Sequence, residues 1–293
     1  MRIIITGSLG HISRPLTQAL VQQGHAVTVI SSKAEKQAAI EALGATAAIG
    51  SLEDVDFLTA TFTGADAVYA MVPPNFAIPD FRPYYNRLGR NYAQAIAQAG
   101  VKRVVHLSSY GADLDHGTGI ILGAHDVEQL LNALPGVALT HLRPVYFYYN
   151  FYNLIGMIKT AGFIGTNYGG EDKLLLVAPA DIAAAAAEEL TKPAVPGQDV
   201  RYIASDERTA TETARILGAA IGKPDLQWVV LPDEQYRSGM EQSGMPAQLA
   251  SDFTDLGISS RSGAMRRDYD RNPPQSLGKV KLEDFAKEFA AAF

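Results

Sequence analysis

Hydrophobic positions in the first half of the chain fall into short β-branched runs separated by segments with helical spacing. Ile3-Ile4-Ile5 predicts a buried strand, and Ile12, Leu16, Leu20 and Val21 predict a helix over residues 12–23, stopped by Gly24. Val27-Thr28-Val29-Ile30 predicts a second strand, followed by a helix over residues 34–43 that ends at Gly44. Ala47-Ala48-Ile49, Ala67-Val68-Tyr69-Ala70-Met71 and Val104-Val105-His106-Leu107 continue the strands. A long amphipathic helix over residues 85–99, closed by Gly100, separates the last two. The strand cores are continuously apolar rather than alternating, the pattern of a parallel sheet covered on both faces. Right-handed crossovers make such a series a doubly wound α/β fold.

The rhythm changes after Asn150. Gly162, Gly165, Gly169 and Gly170 crowd a loop-rich stretch, and an alanine-rich helix follows Pro179-Ala180-Asp181. Two strand–helix pairs come next, with strands at residues 200–204 and 226–231, and residues 282–293 form a closing amphipathic helix. The expectation is a principal domain over residues 1–150 and a smaller α/β C-terminal domain over 151–293. Part of 174–204 is expected to return to the first domain.

At 293 residues the chain fits this division, since domains average roughly 150 residues. It contains no cysteine, which removes thiolate catalysis, Cys-ligated zinc and iron–sulfur clusters. The balance of 25 basic and 31 acidic residues gives −6, and no Lys/Arg run stands out, so nucleic acid is not an expected partner. Only three aliphatic residues precede Thr6-Gly7, too few for an export signal, and no run is long enough to span a membrane. A soluble cytoplasmic protein is expected.

The sharpest chemical signal is Thr6-Gly7-Ser8-Leu9-Gly10-His11-Ile12-Ser13, between the first strand and first helix. A glycine-rich turn in this place lets backbone amides approach a pyrophosphate, and the helix N-terminus adds favourable partial charge. Gly7 permits the tight turn, Gly10 permits close approach, and Ser13 is small enough for helix–strand packing. An NAD site usually carries an acid at the end of the second strand to hold the ribose 2′-hydroxyl. Here Ile30-Ser31-Ser32-Lys33 has none before Glu35. Two hydroxyls and an ammonium suit a 2′-phosphate, with His11 or Arg14 assisting, so NADP(H) is expected in preference to NAD(H).

This turn resembles the GxxGxxG/A of atypical short-chain dehydrogenases/reductases. Further segments are similar to the NmrA-like subfamily: Gly64-Ala65-Asp66-Ala67-Val68, the stretch Ala99-Gly100-Val101-Lys102-Arg103-Val104-Val105, Leu107-Ser108-Ser109-Tyr110-Gly111-Ala112, and His125-Asp126-Val127-Glu128. Leu142-Arg143-Pro144 with Asn150, and Pro179-Ala180-Asp181-Ile182-Ala183, extend the likeness, which covers the first two thirds well and the tail loosely. The resemblance implies an NADP(H)-binding Rossmann domain with a small second domain forming a cleft over the nicotinamide. Relatives include NADPH-dependent quinone reductases and cofactor-sensing regulators.

By that likeness Gly7, Leu9, Gly10, His11 and Ile12 would line the pyrophosphate, and Ser31, Ser32 and Lys33 would take the adenosine ribose. Met71, Val72 and Pro73 would border the nicotinamide ribose, and Ser108 and Ser109 would lie beneath the ring. Two features depart from the wider pattern. Many relatives carry an Asp after the third strand, where this chain has Gly50-Ser51. Ordinary short-chain dehydrogenases also use Tyr-x-x-x-Lys, and none of the 13 tyrosines here has a lysine four residues later. Ile121 and His125 stand where that pair would lie.

His125 is the remaining group suited to proton exchange near neutrality. It is expected either to hold the nicotinamide ribose and relay a proton, or only to bond the ribose or a nearby carbonyl, with Glu128 orienting it from the same helix face. Residues 146–152 hold six aromatics in seven positions. They read as interface packing or as a flat wall for an aromatic substrate, with Tyr146, Phe147 and Asn150 as substrate residues. The loop Pro73-Pro74-Asn75-Phe76-Ala77-Ile78-Pro79, with Tyr84 and Tyr85, would close the other side or serve as a rigid crossover. No His-x-x-x-His pair suggests a metal, and no Gly-x-Ser-x-Gly elbow suggests a hydrolase. Arg261, Arg266, Arg267, Asp268 and Asp270 read as a solvated surface. The expected activity is hydride transfer to a small planar acceptor such as a quinone. The alternative is an NADP(H)-responsive regulator that binds a protein partner.

Overall fold

The structure, a computed structural model, describes residues 1–78 and 81–293, so Pro79 of the proline-rich loop lies outside the described residues. The chain divides into two compact units. The first comprises Met1–Ser109, Gly123–Arg143 and Ile182–Arg201; the second comprises Tyr110–Leu122, Pro144–Asp181 and Tyr202–Phe293. The chain thus passes between the units several times.

In the first unit the strands are β1 (Arg2–Ile5), β2 (Ala26–Ser31), β3 (Thr46–Ile49), β4 (Ala67–Met71), β5 (Arg103–Leu107) and β6 (Ala138–Pro144). With Gly197–Ile203 at one edge they form a seven-stranded sheet in the order Gly197–Ile203, β6, β5, β4, β1, β2, β3. β1 pairs in parallel with both β2 and β4, and β5 pairs in parallel with β4 and β6. The strand order therefore reverses at β1. In a doubly wound sheet this switch point opens a crevice beyond the carboxyl ends of the strands.

Among the described residues the helices of this unit include α1 (Ser13–Gln22), α2 (Gln37–Glu41), α3 (Val55–Phe62), α4 (Phe81–Ala99) and α5 (Leu122–Asn132), together with most of the helix Pro179–Leu190. Ile4, Val68, Val104 and Leu139 of the sheet pack with Leu58, Phe62, Leu88, Tyr92, Ile96, Val127 and Leu131 in one continuous core. The helix expected over 34–43 is instead a 3₁₀ turn, Ala34–Lys36, running into the short α2. Only Ile40 of that stretch is buried, so little apolar surface holds a longer helix. α4 starts four residues earlier than its apolar pattern suggested, because Pro83 is tolerated in a first helical turn.

β6 lies outside the strands anticipated from hydrophobicity. It is wholly buried yet carries Thr140, His141 and Arg143, which break the apolar run. Each of these polar side chains has a buried partner: Glu189, His106 and Glu128 respectively.

The second unit holds a three-stranded sheet, Asp206–Thr209 antiparallel to Lys173–Val177 and the latter parallel to Tyr146–Phe147. Ile164–Thr166 pairs in parallel with Trp228–Val230. Tyr148, Phe151, Trp228, Phe285 and Phe289 build its core, so Tyr148 and Phe151 of the aromatic run are structural. Of the tail charges expected to be solvated, Arg261, Arg266, Asp268 and Asp270 make specific bonds, while Arg267 is exposed. Arg261 holds Asp233 and the Asn167 carbonyl, Arg266 holds Glu207 and Asp270, and Asp268 accepts from the Tyr202 hydroxyl. Asp181 accepts from Ser205 Oγ and from the backbone amides of Lys279 and Val280, tying the last loop to the unit. No helix among the described residues is long and apolar enough to cross a membrane.

Candidate functional site

The turn after β1 sits at the switch point. Gly7 has φ +87°, and a Cβ there would lie 2.7 Å from Ser13 Oγ and 2.9 Å from Met71 Sδ. Any larger residue would strain the backbone and crowd the side chains of Ser13 and Met71. Ser8 has φ +53°, a rare conformation for a non-glycine residue. Such a conformation costs on the order of 1–3 kcal/mol and concentrates at functional sites.

The local hydrogen bonds show what holds Ser8 there. Its N–H donates to the Ile30 carbonyl at 3.1 Å, and its hydroxyl donates to Ser31 Oγ at 3.0 Å. The Gly10 N–H closes the turn on the Gly7 carbonyl at 3.2 Å. Ser13 donates to the Thr6 carbonyl at 2.9 Å, so it links helix and strand as well as being small.

Ile12 is the N-cap of α1 and makes no side-chain cap bond. The Gly10 and Arg14 amides are already bonded, to the Gly7 and Gly10 carbonyls, and Pro15 has none, so an anion here would meet the other amides of the turn and the positive end of the helix dipole. His11 is exposed and Ile12 is buried beside it. At the end of β2, Ser31 is buried while Ser32 and Lys33 are exposed. Ser31 Oγ accepts from the Lys33 N–H at 3.2 Å, which turns the backbone where the strand ends. Gly7, Ser8, Ser31 and Lys33 are therefore one connected group. This cradle fits a dinucleotide diphosphate and the adjoining ribose.

Met71, Val72 and Pro73 leave β4 next to that cradle, and three tyrosines of α4 hold their carbonyls. Tyr92 donates to Met71 O at 2.6 Å, Tyr85 to Val72 O at 3.4 Å and Tyr84 to Pro73 O at 3.1 Å. Burial pushes the Tyr92 phenol well up, which keeps it a protonated donor. Thr6 Oγ1 accepts from the Met71 N–H at 2.8 Å. Thr6 was expected only as part of the turn motif and Tyr84 and Tyr85 only as part of a wall or crossover; their bonds to this backbone, and Tyr92 altogether, were not anticipated. Tyr84 and Tyr92 are eight residues apart on one helix face, and buried phenols on an apolar face need partners; that spacing was the available signal.

Ser108 is buried and donates to Glu128 Oε1 at 2.5 Å. Glu128 also takes Arg143 in a forked pair, 2.9 and 2.7 Å, and all three side chains are nearly inaccessible. The Ser108 hydroxyl is thus committed to the interior, and Glu128 is spent on Ser108 and Arg143. Ser109 next to it is half-buried.

His125 is half-buried in the first turns of α5. Its neighbour Asp126 accepts two bonds from Arg82, at 2.6 and 2.8 Å, and one from Asn86 at 2.6 Å. Arg82 holds the Asp126 carboxyl below its ordinary range, against the opposing effect of burial. This clamp fixes the start of α5 against α4 and with it the place of His125. Tyr146, Phe147 and Asn150 lie in the second unit, each half-buried, with Tyr146 5.1 Å from Phe151 and Phe147 5.1 Å from Tyr149 between ring centres. Among the described residues no group of three or more His, Asp or Glu side chains is placed to hold a metal ion.

The parallel sheet with its switch-point turn defines a Rossmann-like chain of the dinucleotide-binding type. The chain belongs to the NmrA-like family, whose sequence model matches residues 1–259. It is 27% identical to an NAD(P)H azoreductase of Xenophilus azovorans, over 99% of both chains. Its fold is shared by solved structures, among them the following two. One is the NADPH-dependent quinone oxidoreductase of Escherichia coli complexed with NADPH, at TM-score 0.81 and 22% identity, covering 98% of this chain and 99% of that one. The other is the triphenylmethane reductase of Citrobacter sp. complexed with NADP(H), at TM-score 0.78 and 20% identity, covering 98% and 99%.

Proposed function

We propose that this chain is an NADPH-dependent reductase that passes hydride to a small planar conjugated acceptor, such as a quinone or an azo compound. The full-length match to an NAD(P)H azoreductase carries this reading, because it falls on a chain whose Ser8–Ser31 cradle fits a dinucleotide. Bound NADPH would supply the reducing hydride, and the protein's task is to position and shield.

In this reading Gly7, Leu9, Gly10, His11 and Ile12 line the diphosphate at the uncapped end of α1, with Gly10 allowing close approach while its own N–H stays on the Gly7 carbonyl. Ser31, Ser32 and Lys33 hold the 2′-phosphate and favour NADP(H) over NAD(H). Met71, Val72 and Pro73 border the nicotinamide ribose, kept rigid by Tyr92, Tyr85 and Tyr84. Ser109 takes the place beneath the ring, with Ser108 bracing it through Glu128. His125 holds the ribose and exchanges a proton with the reduced acceptor, or water supplies that proton. Tyr146, Phe147 and Asn150 contact the acceptor.

A conjugated acceptor delocalises the incoming charge, so Tyr-x-x-x-Lys is dispensable for this chemistry. Its absence also supports a second reading, an NADP(H)-responsive regulator with little turnover. The loss of NADPH absorbance with a panel of quinones and azo dyes separates the two. Saturable oxidation supports the reductase; tight NADPH binding with no oxidation supports the regulator. A protein pull-down with and without NADP(H) then tests for a partner.

A further inference from the structure

Phe76 stands in the short segment that leaves β4, and the residue is 45% exposed. Single exposed apolar residues are ordinary on protein surfaces. This one differs in its backing and its place. Its ring lies flat on Phe81, 5.2 Å between centres and 7° from parallel, and Phe81 in turn contacts Tyr85 at 4.7 Å. Phe81 is buried, so the exposed ring rests on a fixed layer.

The backbone under Phe76 is equally constrained. Tyr92, Tyr85 and Tyr84 hold the carbonyls of Met71, Val72 and Pro73 in succession. Asn75 Oδ1 accepts the Ala77 N–H at 3.2 Å, turning the chain directly around Phe76. The segment begins at the carboxyl end of β4, which neighbours β1 and the Gly7 turn in the sheet. A rigid aromatic surface is thus presented on the ligand side of the first unit. Flat rings stack in offset parallel fashion on such a surface, and the advantage grows with ring area.

We infer that Phe76, backed by Phe81 and Tyr85, is a stacking platform that makes this protein prefer fused, multi-ring planar acceptors over single-ring ones. The inference rests on the reductase reading for the identity of the ligand, and its test is therefore a binding measurement. With the protein saturated by NADP⁺, which has no hydride to give, calorimetric titrations compare 9,10-phenanthrenequinone with 2,6-dimethyl-1,4-benzoquinone. Phe76→Ala is expected to weaken phenanthrenequinone about 3- to 10-fold and the single-ring quinone by less than about 2-fold, as a stacking interaction predicts. Phe76→Tyr, which keeps the ring, retains the native preference, and Phe76→Leu, which keeps apolar bulk without it, behaves as Ala. NADP⁺ affinity stays native in all three, and the thermal midpoint of Phe76→Ala falls by only a few degrees through the lost packing on Phe81.

Equal weakening of both quinones, no weakening of either, or no quinone binding by the native protein overturns the platform. NADPH oxidation measured on the same samples keeps the two ideas apart. Ring-size-dependent binding without NADPH oxidation leaves the platform standing and overturns the reductase. NADPH oxidation with unchanged phenanthrenequinone binding in Phe76→Ala does the reverse.

Discussion

His106 and His141 face each other on β5 and β6, in register, with their Nδ1 atoms 3.0 Å apart. His141 Nε2 lies 3.0 Å from Asn132 Oδ1, so that nitrogen carries a hydrogen. In neutral His141 the Nδ1 then accepts, and His106 donates through its own Nδ1–H. Burial lowers both imidazoles below their ordinary value, His106 far below, with its partner adding to the effect. For His141, Arg143 pushes in the same direction and Glu128 opposes.

The pair makes stability depend on pH. Below about pH 6.5 the unfolded chain takes up protons that the folded pair refuses, so stability is full above that pH and falls beneath it. The slope is up to about 1.4 kcal/mol per pH unit for each histidine. Urea unfolding at pH 7.5, 6.5, 5.5 and 5.0 should show the decline, and replacing both residues by leucine should flatten it. An unchanged slope in the double variant would contradict the assignment.

Glu128→Ala leaves the Arg143 guanidinium buried without its carboxylate and also removes the Ser108 acceptor. Breaking a buried pair in this way costs about 3–5 kcal/mol. Removing both charges, as Glu128→Leu with Arg143→Met, should cost clearly less than the single change. Denaturant midpoints of the single and double variants check this.

Gly7→Ala places a Cβ 2.7 Å from Ser13 Oγ at φ +87°. The strained turn should destabilise the fold by about 1–3 kcal/mol. NADPH affinity should fall roughly 10-fold or more, since the amides that would meet the diphosphate move. Fluorescence titration of NADPH alongside a melting curve separates the two effects.

Lys33→Ala tests cofactor preference. A charge-assisted contact to a 2′-phosphate is worth enough to change NADPH affinity by about 10-fold at low salt, while NADH is unaffected. The difference should shrink as salt is raised, because Lys33 is exposed. Equal losses for both nucleotides would show that Lys33 does not read the phosphate.

Much of the first unit was legible because its strands are apolar and its turns are marked by glycine. β1 to β5 and the phosphate turn follow directly from Ile3-Ile4-Ile5, Gly7 and their successors. β6 was not, since Thr140, His141 and Arg143 are buried only by virtue of partners distant in sequence. The same reason hid the roles of Tyr84, Tyr85 and Tyr92, whose acceptors are the carbonyls of another element. Glu128 read as an orienter of His125 from helical spacing alone, but β6 supplies Arg143 to claim it. Arg261 and Arg266 looked solvated because Asp233, Glu207 and Asn167 are far from them along the chain.

The central claim, direct hydride transfer to a planar acceptor, is tested most directly with NADPH deuterated separately at each of the two C4 positions. Mixed in single turnover with phenanthrenequinone, one of the two labels should slow NADPH oxidation by a primary isotope effect and deliver its deuterium out of the nucleotide. The other should react at the unlabelled rate and retain deuterium in NADP⁺. NADPH that binds tightly but is not oxidised, or that is oxidised with neither position sensitive, would contradict the account.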